Sequence, residues 1–252
     1  MPAKKTQQAL IIFLEDTNRD IIHSRLTDDL SHEEKNRLYS AFLEDTIYTC
    51  LNLRDVLLKV NYPSDEAKSI VNSSVSALEK RLDPKQKKVL KSNCFETEMI
   101  AGKSQGERLK HAFEQTFTNG HRPVLLIGCV TPTLSKKAIQ DAYKQLKKSD
   151  VVFGPTLEGS YYLVGLNRME NHVLEKVEWA SDKPVYSQMV DAVSDSTLNW
   201  NELELWYDLR QPEDFEFLIR DINFFRQIGD ENSASRTEEV LNEILKKIPD
   251  GL

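Results

Sequence analysis

The chain has 252 residues, of which 40% are hydrophobic and 29% charged, so it is long enough for one large α/β domain or two small ones. With 33 basic and 40 acidic residues its net charge is −7, which argues against nucleic acid as a partner. No apolar run approaches the ~20 residues that span a bilayer, and three scattered cysteines predict neither a disulfide framework nor a zinc site. We therefore expect a cytoplasmic protein without a membrane segment.

Short apolar runs alternate along the chain with capped, amphipathic segments. The runs predict six strands, which are Gln8–Leu14, Asp55–Val60, Pro123–Cys129, Asp150–Gly154, Ser160–Leu166 and Glu202–Leu209. The capped segments predict helices that begin at Ser31 and Ser104, cover residues 64–90, 135–148 and 235–248, and begin again near Pro212. This alternation predicts an α/β fold in which helices cover both faces of a mainly parallel central sheet.

The chain shows no internal repeat and no low-complexity linker. We predict a single domain over residues 1–228 and an amphipathic helical tail over residues 229–252. The apolar residues of the tail pack either on this domain or on a partner, which leaves a homodimer as one alternative. Ligands of mainly parallel sheets bind beyond the carboxyl ends of the strands. The candidate site therefore lies after the strand ends at Leu14, Gly128, Gly154 and Leu209.

Three sequence blocks at these strand ends are distinctive. They are Leu126–Leu134 (LIGCVTPTL), Asp150–Pro155 (DVVFGP) and Glu158–Leu166 (EGSYYLVGL). They resemble the small bacterial GT-A-type nucleotide-diphospho-sugar transferases, a glycosyltransferase family related to the 2-phospholactate guanylyltransferases. The resemblance extends over residues 11–218. It implies a three-layer α/β/α fold of the GT-A type and a nucleotide or nucleotide sugar as ligand.

The two positions that resemble the metal-binding aspartates of this family are changed. Val130 stands at the aspartate of the family pattern G-S-D-C-P, and valine offers no oxygen to a hard cation. Arg210 stands at the second aspartate of the pattern D-V-D-T-P. A guanidinium ~4 Å from a divalent ion would repel it by roughly 8 kcal/mol at an effective dielectric constant near 20. We therefore expect no metal site and no cofactor, with Mg²⁺ or Mn²⁺ only in an active transferase.

The phosphate-binding loop of the family is also altered. Its pattern, roughly F-A-K-x-P-x-P-G-x-x-K-T-R-L, lies without a gap on residues 13–26. The two lysines become Glu15 and His23, while Arg25 is kept. Arg25 is thus a candidate phosphate ligand, and the alternative is that it neutralises neighbouring aspartates of the loop.

The resemblance implies the remaining site residues. The candidate substrate- or nucleotide-binding residues are Arg25, Thr131, Gly159, Ser160, Tyr161, Asp208 and Arg210. Glu158 is the candidate general base for an acceptor hydroxyl, and the alternative is a solvated loop carboxylate. Arg210 either receives a diphosphate directly, since its planar fork suits phosphate oxygens, or forms an internal ion pair with Asp208, Glu158 or Glu15.

Two functions are compatible with these observations. The first is a diverged homologue that lacks metal-dependent transfer and acts as a binding or regulatory protein. The second is an active transferase that moves a glycosyl or nucleotidyl group from a nucleotide-activated donor with altered metal use. The loop chemistry favours the first function, whereas the resemblance favours the second. In both cases Val130 and Arg210 should face one cleft at the carboxyl edge of the sheet.

Overall fold

The structure is a computed structural model that describes residues 8–15, 30–179, 181, 183–210 and 214–246. Within these ranges seven strands form one sheet: β1 (Gln8–Phe13), β2 (Val56–Tyr62), β3 (Phe95–Met99), β4 (Val124–Gly128), β5 (Val151–Pro155), β6 (Tyr161–Leu166) and β7 (Trp200–Glu202). Their spatial order is β3-β2-β1-β4-β6-β5-β7. β6 runs antiparallel to both of its neighbours, and the other neighbouring pairs are parallel. The predicted mainly parallel sheet is confirmed.

The described residues also form nine helices. They are α1 (His32–Cys50), α2 (Asp65–Arg81), α3 (Pro84–Leu90), α4 (Gln105–Thr118), α5 (Lys136–Gln145), α6 (Asn171–Glu175), α7 (Val185–Ser194), α8 (Asp214–Gln227) and α9 (Ser235–Leu245). Ser31 begins α1 with the predicted capping box. Ser104 caps α4 with its hydroxyl, although the Glu107 carboxylate accepts from the N–H of Lys103 rather than from the cap residue. None of these helices is both long and apolar enough to cross a membrane.

Different helices cover the two faces of the sheet. Along β1, Leu10 and Ile12 point to one face, where they pack with side chains of α1, α2 and α5. Ile11 and Phe13 point to the other face, where they pack with side chains of α4, α6 and α7. The arrangement is the three-layer α/β/α architecture expected from the sequence.

The C-terminal helices build a third hydrophobic cluster with α1. Phe42 of α1 packs there with Phe215 and Leu218 of α8 and with Val240 and Ile244 of α9. The apolar face of α9 is therefore buried within the chain itself. Nothing in the described ranges supports a homodimer through this face.

A pair of acidic residues from the middle of α1 anchors α9. Ala234, which precedes α9, supplies no capping side chain. Asp45 takes that role, because its Oδ1 accepts from the N–H of Arg236 at 3.1 Å and its Oδ2 accepts from the N–H of Thr237 at 2.7 Å. The neighbouring Glu44 lies 3.7 Å from the guanidinium of Arg236 and 3.9 Å from that of Arg81. We call these residues the α1–α9 junction.

The predicted strand Glu202–Leu209 is wrong, since the strand ends at residue 202. Beyond that point the N–H of Leu203 donates to the carbonyl of Phe153, and the N–H of Trp206 donates to the carbonyl of Pro155. Between these two hydrogen bonds the segment advances by three residues, whereas β5 advances by two. The extra residue interrupts the ladder, and pairing resumes only as an isolated parallel bridge between Thr156 and Trp206.

Strand β3 was not among the sequence predictions. Its residues Phe95–Met99 are mostly polar, and three of the five are exposed, because the strand lies at the edge of the sheet. An edge strand of this kind lacks the apolar run that marks a buried strand.

Candidate functional site

A small cavity lies at the carboxyl edge of the sheet. β1 and β4 end there, and because β6 runs in the opposite direction, its first residues Tyr161 and Tyr162 reach the same edge. The cavity has a volume of about 20 Å³, enough for one water-sized group. Its polar lining includes Glu15, Gln105, Thr131, Tyr161, Asp208 and Arg210.

The segment 203–210 carries two charged residues across this edge. The N–H of Leu209 donates to the carbonyl of Val130 at 3.0 Å, which joins the segment to the loop after β4. Tyr207 and Leu209 are buried in the third hydrophobic cluster, whereas Asp208 and Arg210 line the cavity. Val130 and Arg210 therefore face one cavity, as expected from the sequence.

The guanidinium of Arg210 is held by two carboxylates. Its Nε donates to Asp208 Oδ2, and its Nη2 donates to Glu15 Oε1 at 3.1 Å. Glu15 Oε1 also accepts from Gln105 Nε2 at 3.2 Å. The charges of Glu15 and Asp208 raise the pKa of Arg210, so the guanidinium is firmly cationic. The internal ion pair is thus present, and direct binding of a diphosphate by Arg210 stays a prediction.

Glu158 and Asp208 form a carboxyl pair beside this ion pair. Partial burial and a hydrogen-bonding contact with Asp208 raise the pKa of Glu158 to about 7. Asp208 is only 1% exposed, and its Oδ1 has no hydrogen-bond donor when both groups are ionised. A proton on Glu158 supplies that donor. Glu158 is therefore partly protonated near neutral pH.

Thr131 presents a second polar atom without a hydrogen-bond partner to the cavity. The residue is 2% exposed, and its Oγ1 has no hydrogen-bond partner. Its carbonyl accepts from the N–H of Leu134 at 2.9 Å, which fixes the loop after β4. Buried hydroxyl groups are usually hydrogen-bonded and can either donate or accept, so this hydroxyl can bind a polar group in the cavity.

Gly159 and Ser160 form the tight turn between β5 and β6. Gly159 has a φ of +75°, and a Cβ atom there would lie 2.9 Å from Pro184. The N–H of Ser160 donates to Thr156 Oγ1 at 3.1 Å. Neither residue lines the cavity, in contrast to Tyr161, and their role in binding stays a prediction.

Tyr161 and Tyr162 point to opposite faces of the sheet, as expected for neighbours in a strand. The hydroxyl of Tyr162 donates to the carbonyl of Glu204 at 3.0 Å. Burial raises the pKa of both phenols, which keeps them neutral. Both tyrosines line the cavity, so neither is only a core residue.

The residues of this cavity do not fit a divalent cation. Val130 is 7% exposed and adds only methyl groups to the lining. The Arg210 guanidinium bridges Glu15 and Asp208, the carboxylates that a cation would need. In the part of the chain that the structure describes, no three His, Cys, Asp or Glu side chains are placed to hold a metal ion.

Two residues differ between the site predicted from the sequence and the site that the structure describes. Arg25 lies outside the described residues, together with the rest of the segment 16–29. Gln105 contacts Glu15 and lines the cavity, although the sequence pattern assigned it no role. Its place in the first turn of α4, the helix that follows the end of β3, is the signal that could have identified it.

Comparison with known proteins places the fold. Residues 71–181 match the model of a bacterial family described as uncharacterized conserved proteins, DUF2064. No curated protein matches the chain in sequence. Among solved structures, a protein of Desulfovibrio desulfuricans G20 that is named, provisionally, as a nucleotide-diphospho-sugar transferase superposes with a TM-score of 0.71. Its sequence identity is 23%, over 93% of this chain and 94% of that one.

A second solved structure is more distant. The 4-diphosphocytidyl-2C-methyl-D-erythritol synthase of Anaerococcus prevotii DSM 20548 has a TM-score of 0.54 and 13% identity, over 86% of this chain and 97% of that one. At these identities the likeness concerns the fold and leaves the activity open. The chain has the GT-A-like fold of the nucleotide-diphospho-sugar transferases.

Proposed function

We propose that the protein binds a ligand in the cavity at the sheet edge, as a binding or regulatory protein without metal-dependent transfer. The observation that carries this proposal is the ion pair of Arg210 with Glu15 and Asp208. In the aligned family pattern position 210 is an aspartate, whereas here an arginine bridges the nearby carboxylates. A guanidinium at this position repels a divalent cation and occupies its ligands.

The ligand class suggested by the resemblance is a nucleotide or a nucleotide sugar. A diphosphate that approached Arg210 would compete with Glu15 and Asp208 for its positive charge, because both carboxylates already accept hydrogen bonds from the guanidinium. We therefore expect nucleotides to bind, if at all, without a divalent cation and with modest affinity. The three cysteines are unpaired, which fits the cytoplasmic location that we propose from the sequence.

An active transferase with altered metal use is the second candidate. The observation that favours it is the pKa of about 7 at Glu158, since a general base works best with a pKa near the working pH. In this alternative Glu158 accepts the proton of an acceptor hydroxyl. Mg²⁺ or Mn²⁺ would then contribute only if it bound in spite of Arg210.

Calorimetric titration separates the two candidates. The full chain is titrated with a panel of nucleoside diphosphates and nucleotide sugars, with Mn²⁺, with Mg²⁺ and with a chelator. We expect no metal-dependent gain in affinity and no transfer to water or to sugar acceptors. Micromolar binding of Mn²⁺, or nucleotide binding that requires it, contradicts the proposal.

A matched pair of double variants tests whether the residues at positions 130 and 210 account for the expected lack of metal binding. Val130→Asp combined with Arg210→Asp restores both carboxylates of the family pattern, and Val130→Asn with Arg210→Asn keeps the polarity without the charge. We expect Mn²⁺ binding only in the aspartate variant, measured by the paramagnetic signal of free Mn²⁺. If neither variant binds Mn²⁺ and both remain folded, the divergence extends beyond these two positions.

A further inference from the structure

Two buried oxygen atoms of residues that line the cavity have no hydrogen-bond partner among the described residues. Asp208 Oδ1 and Thr131 Oγ1 are both buried, both without a partner, and both belong to residues that line the same cavity. The acidic side chains of this region, Glu15, Asp208 and Glu158, outnumber its one described cation, Arg210. A ligand group that satisfies these acceptors must donate hydrogen bonds, and a positive charge strengthens each of them.

The size of the cavity restricts that group further. A volume of about 20 Å³ admits one water-sized group, and an ammonium group is of this size. An ammonium carries three donors and no acceptor, so one such group can satisfy Asp208 Oδ1 and Thr131 Oγ1 together. A phosphate or carboxylate group would instead place its own acceptor oxygens against Asp208 Oδ1.

We propose that the cavity binds the primary ammonium group of a small organic cation, held by Asp208 with Thr131 as a further acceptor. This inference rests on the proposed function in one respect, namely that the cavity binds a ligand rather than a metal ion. It adds the chemical class of the ligand group that enters the cavity, which is an ammonium.

The carboxyl pair makes this binding depend on pH. A proton on Glu158 and an ammonium group compete for the negative charge of Asp208. Glu158 faces Asp208 and Asp214, and Asp208 in turn faces Arg210. Because the pKa of Glu158 is raised to about 7, the pair gains its second negative charge above neutrality. The affinity for an ammonium group should therefore rise between pH 6 and pH 8.

The ammonium group can come from an amino sugar or from a simple amine, and calorimetry with matched compounds distinguishes the two. The probes are D-glucosamine and 1,4-diaminobutane, and their neutral counterparts are D-glucose and 1,4-butanediol. Titrations are carried out near pH 8 and near pH 6 with a chelator present. We expect one or both amines to bind near pH 8, about tenfold or more tightly than the neutral counterparts.

Two variants link the binding to the named oxygens. Asp208→Asn removes the charge with little change of shape, and Thr131→Val removes the hydroxyl alone. We expect Asp208→Asn to weaken amine binding about tenfold or more and Thr131→Val to weaken it by a smaller factor. Asp191→Asn, at an exposed carboxylate on α7, should leave it unchanged. Circular dichroism confirms that each variant is folded.

The outcomes are distinct. Binding of glucosamine alone assigns the cavity to an amino sugar, and binding of both amines assigns it to a simple ammonium. The inference is overturned if neither amine binds at about 20 mM, well above a millimolar Kd, or if the neutral compounds bind equally well. Amine binding that survives both Asp208→Asn and Thr131→Val also overturns it. Mn²⁺ binding in the separate metal titration would refute the proposed function and is read independently of the amine result.

Discussion

Asp45 and Asp208 are two buried aspartates that have similar charged neighbours but different hydrogen-bond donors. Each lies beside a glutamate and an arginine: Glu44 and Arg236 in the α1–α9 junction, Glu158 and Arg210 at the cavity. Both oxygens of Asp45 accept backbone N–H groups of α9. Asp208 uses one oxygen for Arg210 and leaves the other facing a cavity without a donor.

The difference separates a structural carboxylate from one that is available to a ligand. At the α1–α9 junction the donors are main-chain groups, which are present in every folded molecule and need no ligand. At the cavity the missing donor must come from a proton or from a bound molecule. A buried carboxylate with an unused oxygen is thus a better guide to a binding site than burial or charge alone.

The largest effect is expected from Asp45→Ala. The substitution removes the cap of α9 and leaves two backbone N–H groups without acceptors, so it should lower the free energy of unfolding by about 3 kcal/mol. The measurement is chemical denaturation followed by circular dichroism, with Asp191→Ala as an exposed control. A loss below about 1 kcal/mol would show that α9 does not depend on this cap.

A smaller effect is expected from Glu44→Gln, and it depends on pH. Burial raises the pKa of Glu44 from 4.5 to about 7. The charges of Arg236 and Arg81 lower this pKa, whereas those of Asp45 and Glu239 raise it further. The folded state therefore holds this proton more tightly than the unfolded state. Its contribution to stability is fully present below pH 4.5 and is lost as the pH rises through 7.

Glu44→Gln should remove this loss. The variant is expected to gain about 2 kcal/mol in stability relative to the natural chain when the pH is raised from 5 to 8. Denaturant unfolding of both proteins at four or five pH values provides the difference. Parallel pH profiles for the two proteins would contradict the prediction, because they would place the titration elsewhere.

The smallest effect on stability is expected from Asp208→Asn. Its amide oxygen still accepts from Arg210 and its amide nitrogen can donate to Glu158, so the free energy of unfolding should change by less than about 1 kcal/mol. The pKa of Glu158 should fall toward its ordinary value, because the neighbouring negative charge is gone. Carbon-detected NMR of the Glu158 carboxyl measures this shift, and an unchanged pKa would contradict the carboxyl pair.

The parts of the fold that follow a regular period were predictable from the sequence. Buried strands such as β4 and the capped start of α1 at Ser31 depend on local patterns of two or four residues. The exposed edge strand β3 and the irregular segment 203–210 depend on partners far away in the sequence. Their local patterns therefore carried either no signal or a misleading one.

The site was predictable in outline for a different reason. Matching blocks at the strand ends brought Val130 and Arg210 to one edge of the sheet, and the structure places them on one cavity. The ion pair of Arg210 with Glu15 joins residues that are 195 positions apart, so sequence alone could only name the alternatives. The unused oxygens of Asp208 and Thr131 depend on side-chain orientation, which no sequence pattern encodes.

The alternation in residues 207–210 restricts the length of this segment. Tyr207 and Leu209 point into the hydrophobic cluster, while Asp208 and Arg210 point to the cavity. Inserting or deleting one residue here would exchange the two sets, burying charges among apolar side chains and placing a tyrosine and a leucine over the cavity. Single amino-acid substitutions in this segment should therefore be tolerated more readily than any change in its number of residues.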